Sequence, residues 1–239
     1  TRMTGGDRLF HSFRRGQAKN TGHLDDYANM CRAALALHQA TGARDYLAWA
    51  EKWAAALDRH YWDDSGGGYF FTADDAEALL VRTKSAHDNA TPSGNGVMAG
   101  VLASLFYLTG NEAYRRRAEG LIAAFSGEIT RNFFPLATLF NGSELLLRTT
   151  QIVIIGRRGG AATDALLESA FKAPLPNRVV TVVAPDERLP GNHPAHGKGQ
   201  IEGKPAAYVC VGATCSLPQT DPSALAATLA SAFVRKAKA

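Results

Sequence analysis

Residues 35–57 read LALHQATGARDYLAWAEKWAAAL, and residues 103–125 read ASLFYLTGNEAYRRRAEGLIAAF. The two stretches align at an offset of 68 residues. Leu37, Thr41, Gly42, Tyr46, Ala50, Glu51, Ala55 and Ala56 return as Leu105, Thr109, Gly110, Tyr114, Ala118, Glu119, Ala123 and Ala124. Self-similarity at a fixed period decides architecture before any local reading does. In the first copy, residues from about Asp25 to Ala40 are rich in Ala, Leu and Met, which favour helix. Gly42 stands where a helix C-terminal cap belongs. A second helix is predicted over Arg44–His60, with Tyr46, Leu47, Ala50, Trp53 and Leu57 spaced by three and four on one face. Two helices joined by a short Gly-containing turn make an αα-hairpin.

The second copy predicts helices over Pro92–Leu108 and Glu112–Ser126, with Pro92 in the first turn, where its missing N–H costs nothing. Pro135–Leu147 reads as the first helix of a third hairpin. Between the copies, the glycines of Tyr61–Thr72 break the helix. Tyr69–Thr72 has strand character, and Leu79–Thr83 is its expected hairpin partner. A hairpin cannot bury its apolar face alone, so neighbours must stack. A ring of six such units needs about 400 residues. The first 148 residues hold barely two, so the chain is expected to be an excerpt of a toroid or to be completed by a partner.

From about Thr149 the pattern changes. Gln151–Ile155, Arg178–Val183 and Ala206–Val211 read as strands, and Ala161–Lys172 as a helix. Asp221 and Pro222 open a last helix as N-cap and first helical residue. Leu189–Lys204 is a Gly-, Pro- and His-rich loop. The expected fold is mainly α: a partial α/α toroid over residues 1–148, then a small α/β unit over residues 149–239.

The 239 residues are 46% hydrophobic and 20% charged, with a formal net charge of +4. The basic spots Arg14–Arg15, Arg115–Arg117 and Arg157–Arg158 are not interleaved with aromatics, which argues against nucleic acid. No run approaches the ~18 apolar residues of a membrane span, and no signal segment opens the chain. Three cysteines do not make a disulfide scaffold, so a reducing cytoplasm is the expected location. The first residue is Thr1, and the reading frame is expected to extend upstream of it.

The repeat also locates candidate chemistry. The offset places Asp25, Asp26 and Tyr27 against Ser93, Gly94 and Asn95, each trio near the start of a hairpin's first helix. Helix starts carry free N–H groups and a positive dipole end, which suit hydroxyl-rich or anionic ligands. If such starts gather at one mouth, its polar residues are His23, Asp25, Asp26, Tyr27, Lys84, His87, Asp88, Ser93 and Asn95. Asp25, Asp26 and Asp88 are the acid/base candidates, since paired carboxylates can divide those roles when their pKa values are pushed apart. The others are candidates for holding the ligand. Asp25 and Ser93 also have the side chains of simple N-caps, and core hydrogen bonding would equally explain Tyr27 and Asn95.

Cys210 and Cys215 read as two buried thiols or a redox pair. With His193 and His196 they make a conceivable Cys2His2 set, but the spacing fits no standard zinc module, and neither a metal nor a cofactor is expected. Cys31 falls within a helix and reads as core. The turn Ile155–Gly160 lacks the full spacing of a dinucleotide or P-loop and reads as a plain strand-to-helix connection.

Four stretches occur in order: Gly22–Ala28 (GHLDDYA), Tyr61-Trp-Asp with Gly66–Phe70, Asp88–Asn95 (DNATPSGN), and Tyr208-Val-Cys210 with Cys215 and Pro218. This series resembles the thioredoxin-domain family that includes spermatogenesis-associated protein 20. The resemblance implies a six-hairpin toroid, similar to N-acylglucosamine 2-epimerases and six-hairpin glycosidases, behind an N-terminal thioredoxin-like domain that is not in this sequence. Where relatives often read Lys-Glu, this chain has Lys84-Ser85, so one family carboxylate is missing. The resemblance implies a carbohydrate-binding or carbohydrate-modifying protein, isomerase- or glycosidase-like. The alternative is a non-enzymatic scaffold or redox-linked module acting with a thioredoxin-like domain. The expected partners are a sugar, the missing hairpins or thioredoxin-like domain, or a second copy of the chain.

Overall fold

The computed structural model describes residues 2–77 and 80–236. The fold is helix-rich and mixed, and it divides into two compact units. The first comprises Thr1–Leu105 and Glu112–Leu146, the second Phe106–Asn111 and Leu147–Ala239.

The first unit opens with three antiparallel strands, β1 (Thr4–Gly5), β2 (Arg8–Arg14) and β3 (Gln17–Thr21), in the order β1-β2-β3. The sequence reading did not anticipate this sheet. Its turn is nonetheless encoded: Arg14 pairs with Gln17, and Arg15 and Gly16 take φ values of 51° and 80°. Two successive positive φ values match a tight turn to the right-handed twist of its strands. Leu9 is the buried residue of β2, and His11 lies two positions on, along the same face.

The hairpin α1 (Leu24–Thr41) and α2 (Arg44–His60) follows. Gly42 ends α1 at φ 77° and donates its N–H to His38 O at 2.7 Å. The chain repeats the device: α3 (Gly94–Thr109) ends at Gly110, φ 72°, which donates to Phe106 O at 2.7 Å before α4 (Glu112–Ala124) begins. Only a residue without a Cβ takes this left-handed cap freely, which is why glycine recurs there. The helix boundaries therefore keep the 68-residue period, Thr41 to Thr109 and Arg44 to Glu112. Short α5 (Ser126–Ile129), a 3-10 turn at Phe134–Leu136 and α6 (Ala137–Arg148) complete the helices here. Most of α3 is buried, through Val97, Met98, Val101, Leu102 and Leu105. A helix apolar on all sides belongs to an interior.

Two local expectations change. Pro92 precedes the α3 N-cap instead of sitting in its first turn, because Ser93 takes the capping position. The expected hairpin of Tyr69–Thr72 with Leu79–Thr83 is not a ladder. Leu79 lies outside the described residues; among the rest, Phe71 donates to Thr83 O at 2.8 Å, and Tyr69 bridges to Trp62 instead. The Arg82 guanidinium donates to Thr72 O at 2.6 Å and to His60 O at 3.0 Å, so carbonyls at this edge are taken by a side chain.

The second unit is a small sheet with helices. Its elements are β4 (Thr150–Ile155), α7 (Ala161–Lys172), β5 (Arg178–Val183), β6 (Ala206–Val211), β7 (Thr214–Cys215) and α8 (Pro222–Lys236). The strand order is β5-β4-β6-β7, with β4 and β5 parallel through α7 and the other pairs antiparallel. Ile152 and Ile154 pack with Leu166 of α7 and Leu225 and Leu229 of α8. The alternate residues Val153 and Ile155 pack with Ala195 and Leu189 of the loop. This is the period-two division of a strand buried on both faces. Asp221 caps α8 by accepting the Ala224 N–H at 2.7 Å.

Candidate functional site

Asp88 joins two helix starts. The Ser93 N–H donates to its Oδ1 at 2.9 Å, and the Thr138 N–H, at the start of α6, donates to its Oδ2 at 2.8 Å. Its own N–H donates to Pro135 O at 2.6 Å. Burial alone would raise its pKa, but the backbone donors of Ser93 and Thr138 outweigh it and hold the carboxyl below the usual carboxylate value. Ser93 is the α3 N-cap: its Oγ accepts the Gly96 N–H at 3.1 Å and donates to Ala86 O at 2.8 Å. Asn95 is fully buried. Its Oδ1 accepts the Tyr69 N–H at 2.8 Å, and its Nδ2 donates to Tyr69 O and Ser85 O, both at 2.9 Å.

Asp25 comes from the first turn of α1, and its Oδ1 lies against Gly94 at the start of α3. Asp25 and Asp88 therefore lie beside consecutive residues, Gly94 and Ser93. Gly94 makes the approach possible: a Cβ there would overlap Asp25 Oδ1 and come to 2.5 Å from Leu24 Cγ. Burial raises the Asp25 pKa, with the Gly94 N–H opposing and the Asp26 charge adding to the rise. The two carboxyls are thus shifted in opposite directions.

Asp26 accepts the His23 N–H at 2.8 Å, closing the first turn of α1. The same Oδ2 lies 2.8 Å from His11 Nδ1 on β2. The His23 ring lies between His11 and Phe71, with centroids 4.6 and 4.7 Å away. Tyr27 is fully buried, and its hydroxyl accepts the Leu9 N–H at 2.9 Å. Lys84 donates to Asp63 Oδ2 and to Gly67 O, both at 2.6 Å, fastening the glycine turn. Exposed His87 places Nε2 2.8 Å from Glu128 Oε2.

The structure thus brings His23, Asp25, Asp26, Asp88, Ser93 and Asn95 to the starts of α1 and α3. Lys84 and His87 have their partners elsewhere, and Tyr27 lies in the core. Asp88, Ser93 and Asn95 spend their polar atoms on backbone, whereas His23, Asp25 and Asp26 are only part-buried. Sequence reasoning missed His11, because the strand that carries it went unread. It also missed Asp58, whose carboxyl is raised by burial despite the Tyr69 hydroxyl donating to it at 2.6 Å and Arg117 at 3.3 Å. Asp58 belongs to the last turns of α2, and no spacing signal distinguishes it there.

In the second unit, the β6–β7 register sets Cys210 opposite Cys215, and a disulfide joins them. This corrects the reading as two buried thiols; Cys215 is exposed. It also removes the Cys2His2 set, since sulfurs in a disulfide are not thiolate ligands. His193 instead accepts the Ala195 N–H at 3.1 Å. In the turn after β4, the Gly159 N–H donates to Asp164 Oδ1 at 3.1 Å, as suits a plain strand-to-helix connection. Cys31 is buried, and burial pushes its thiol pKa up. Among the described residues no helix is long and apolar enough to cross a membrane.

Known proteins extend the pattern. The chain is 32% identical to human spermatogenesis-associated protein 20 over 212 residues, 85% of this chain and 27% of that protein. The rat protein of the same name is 32% identical over 209 residues, again 85% of this chain, and 26% of that protein. The chain belongs to the spermatogenesis-associated protein 20 family. An uncharacterized protein of Caenorhabditis elegans is 29% identical over 201 residues, 81% of this chain and 26% of that protein. The chain therefore spans about a quarter of the length of these relatives. No family model matches it.

Proposed function

We propose that the first unit is part of an α/α toroid whose mouth takes a hydroxyl-rich, carbohydrate-type ligand. Sugar isomerisation or glycoside hydrolysis are the reaction classes that fit its carboxylates. The observation that carries this reading is Asp25. It is a half-buried carboxyl with a raised pKa, lying against Gly94 at the start of α3 and beside a second carboxylate, Asp26. A raised carboxyl pKa favours the general-acid role in such a pair. Asp26 holds the ring of His11 through Nδ1, which adds an imidazole to the polar groups of this mouth. Asp88 acts here as the brace that aligns α3 and α6. The interior character of α3 and the repeated hairpin period support the toroid. The test is a thermal-shift screen of mono- and disaccharides and sugar phosphates. A saturable rise in melting temperature that disappears in Asp26→Asn supports the reading. No rise with any of them in a cooperatively melting protein refutes it for this chain.

A second reading, a redox-linked module, is favoured by the Cys210–Cys215 disulfide and the exposure of Cys215. A partner dithiol would attack one sulfur and form a mixed disulfide. Its second thiol would then release Cys210 and Cys215 as thiols, two electrons and two protons passing from the partner. Thiol counting in graded glutathione buffers tests this. A disulfide that resists reduction across the physiological range of potentials excludes that role.

A further inference from the structure

His11, His23 and Asp26 each offer one donor atom, and all three atoms lie within 4.8 Å of one another. We infer that this trio is a binding site for a divalent transition-metal ion of the zinc class. Two imidazoles and a carboxylate are the donor set that such ions favour. A tetrahedral zinc ion at ~2.0–2.1 Å from its ligands sets them about 3.4 Å apart. His11 Nδ1 and Asp26 Oδ2 stand at 2.8 Å, a spacing now bridged by a proton, and the His23 donor lies within 4.8 Å of both, so side-chain rotation is needed to bring the three to ligand spacing. The side chains have room for this, since His11 is 46% and Asp26 30% exposed. The metal would replace the proton shared by His11 and Asp26.

The frame around the trio is already built. Asp26 is held by the His23 N–H at 2.8 Å, and the His23 ring is stacked on Phe71 with centroids 4.7 Å apart. Supports of this kind orient metal ligands. The positive end of α1 opposes a cation, but Asp25 and Asp26 in its first turn offset that end. Three protein ligands leave a fourth position for water or a ligand. A second trio, His60, Asp74 and Asp75, is the weaker candidate. Arg8 holds Asp75 through two bonds of 2.7 and 2.9 Å, and a cation would have to displace that guanidinium.

This inference does not rest on the carbohydrate reading, and its test reads metal binding itself. The oxidised chain, freed of metal with EDTA, is titrated with Zn2+ by calorimetry and with Co2+ by visible absorption. The expected result is one ion per chain, with cobalt bands of a low-coordinate imidazole and carboxylate site. His11→Ala, on an exposed strand position, is expected to weaken binding at least ~10-fold, the loss seen when even an outer support of a metal ligand is removed. Asp26→Asn is expected to do the same while circular dichroism shows the helices intact. His60→Ala is expected to leave the affinity unchanged. Absence of saturable binding, or binding indifferent to His11→Ala, would overturn the assignment, as would binding lost in His60→Ala.

Discussion

Replacing Asp88 by alanine removes the acceptor of two helix starts at once. The side chain takes the Ser93 N–H at 2.9 Å on one oxygen and the Thr138 N–H at 2.8 Å on the other. Asp88 takes the N–H of the α3 cap residue and a first-turn N–H of α6. A hydrogen bond is worth about 1 kcal/mol, and charge on the acceptor moves the value upward, so the two are worth roughly 2–3 kcal/mol. For a chain of this size that corresponds to a fall in melting temperature of roughly 4–12 °C. Asp88→Asn keeps one acceptor oxygen but turns an amide donor toward the other N–H, so it is expected to lose at least half as much. The acid dependence follows from the depressed pKa. A carboxylate whose folded pKa lies below its unfolded value stabilises fully above that unfolded value, here 3.8, and loses the contribution as pH falls through the folded pKa. The gap between wild type and Asp88→Ala should therefore be full at pH 7 and narrow below about pH 3.8. Melts followed by circular dichroism across that range measure it. An Asp88→Ala protein melting within about 1 °C of wild type at pH 7 would refute the two-helix brace.

Three further outcomes follow from the same geometry. Gly94→Ala gains helix propensity of up to about 1 kcal/mol but drives a Cβ into Asp25 and Leu24. It should be destabilising on balance by denaturant titration, and a stabilised variant would mean that Asp25 does not approach Gly94. Asn95→Ala strands the N–H and C=O of buried Tyr69 and frees the Ser85 C=O, and should cost about 2–4 kcal/mol; a loss under 1 kcal/mol would contradict the observed hydrogen bonds. Asp25 has the opposite sign from Asp88: its raised folded pKa contributes stability below the unfolded value of 3.8 that is lost as pH rises through the folded pKa. Asp25→Asn should thus look more favourable relative to wild type at pH 7 than at pH 3, and melts that show no such trend would count against a raised pKa.

The hairpins were legible because their signals are local. Gly42 and Gly110 mark left-handed caps, and the flanking helices repeat the apolar spacing. The strands of the second unit were legible as short apolar runs buried on both faces. The first sheet was missed because residues of β2 and β3 are polar on much of both faces, and its one strong signal is Arg15-Gly16. The site was half legible. Aligning the repeat pointed to the starts of α1 and α3, which the structure places together through Asp25 and Gly94. It could not tell a capping carboxylate from a free one, since Asp25 and Asp88 differ only in which N–H groups surround them in three dimensions. Nor could spacing distinguish two thiols from a disulfide, because the pairing of Cys210 with Cys215 depends on the β6–β7 register.

The most direct test of the carbohydrate reading is a calorimetric titration of the full chain with the best sugar or sugar phosphate from the screen, beside Asp25→Asn and Asp88→Asn. Saturable binding is expected, weakened at least ~10-fold, about 1.4 kcal/mol, by Asp25→Asn, while folded Asp88→Asn binds with similar affinity. Absence of saturable binding for the whole panel, or an affinity that ignores Asp25→Asn, would contradict a carbohydrate site at the starts of α1 and α3.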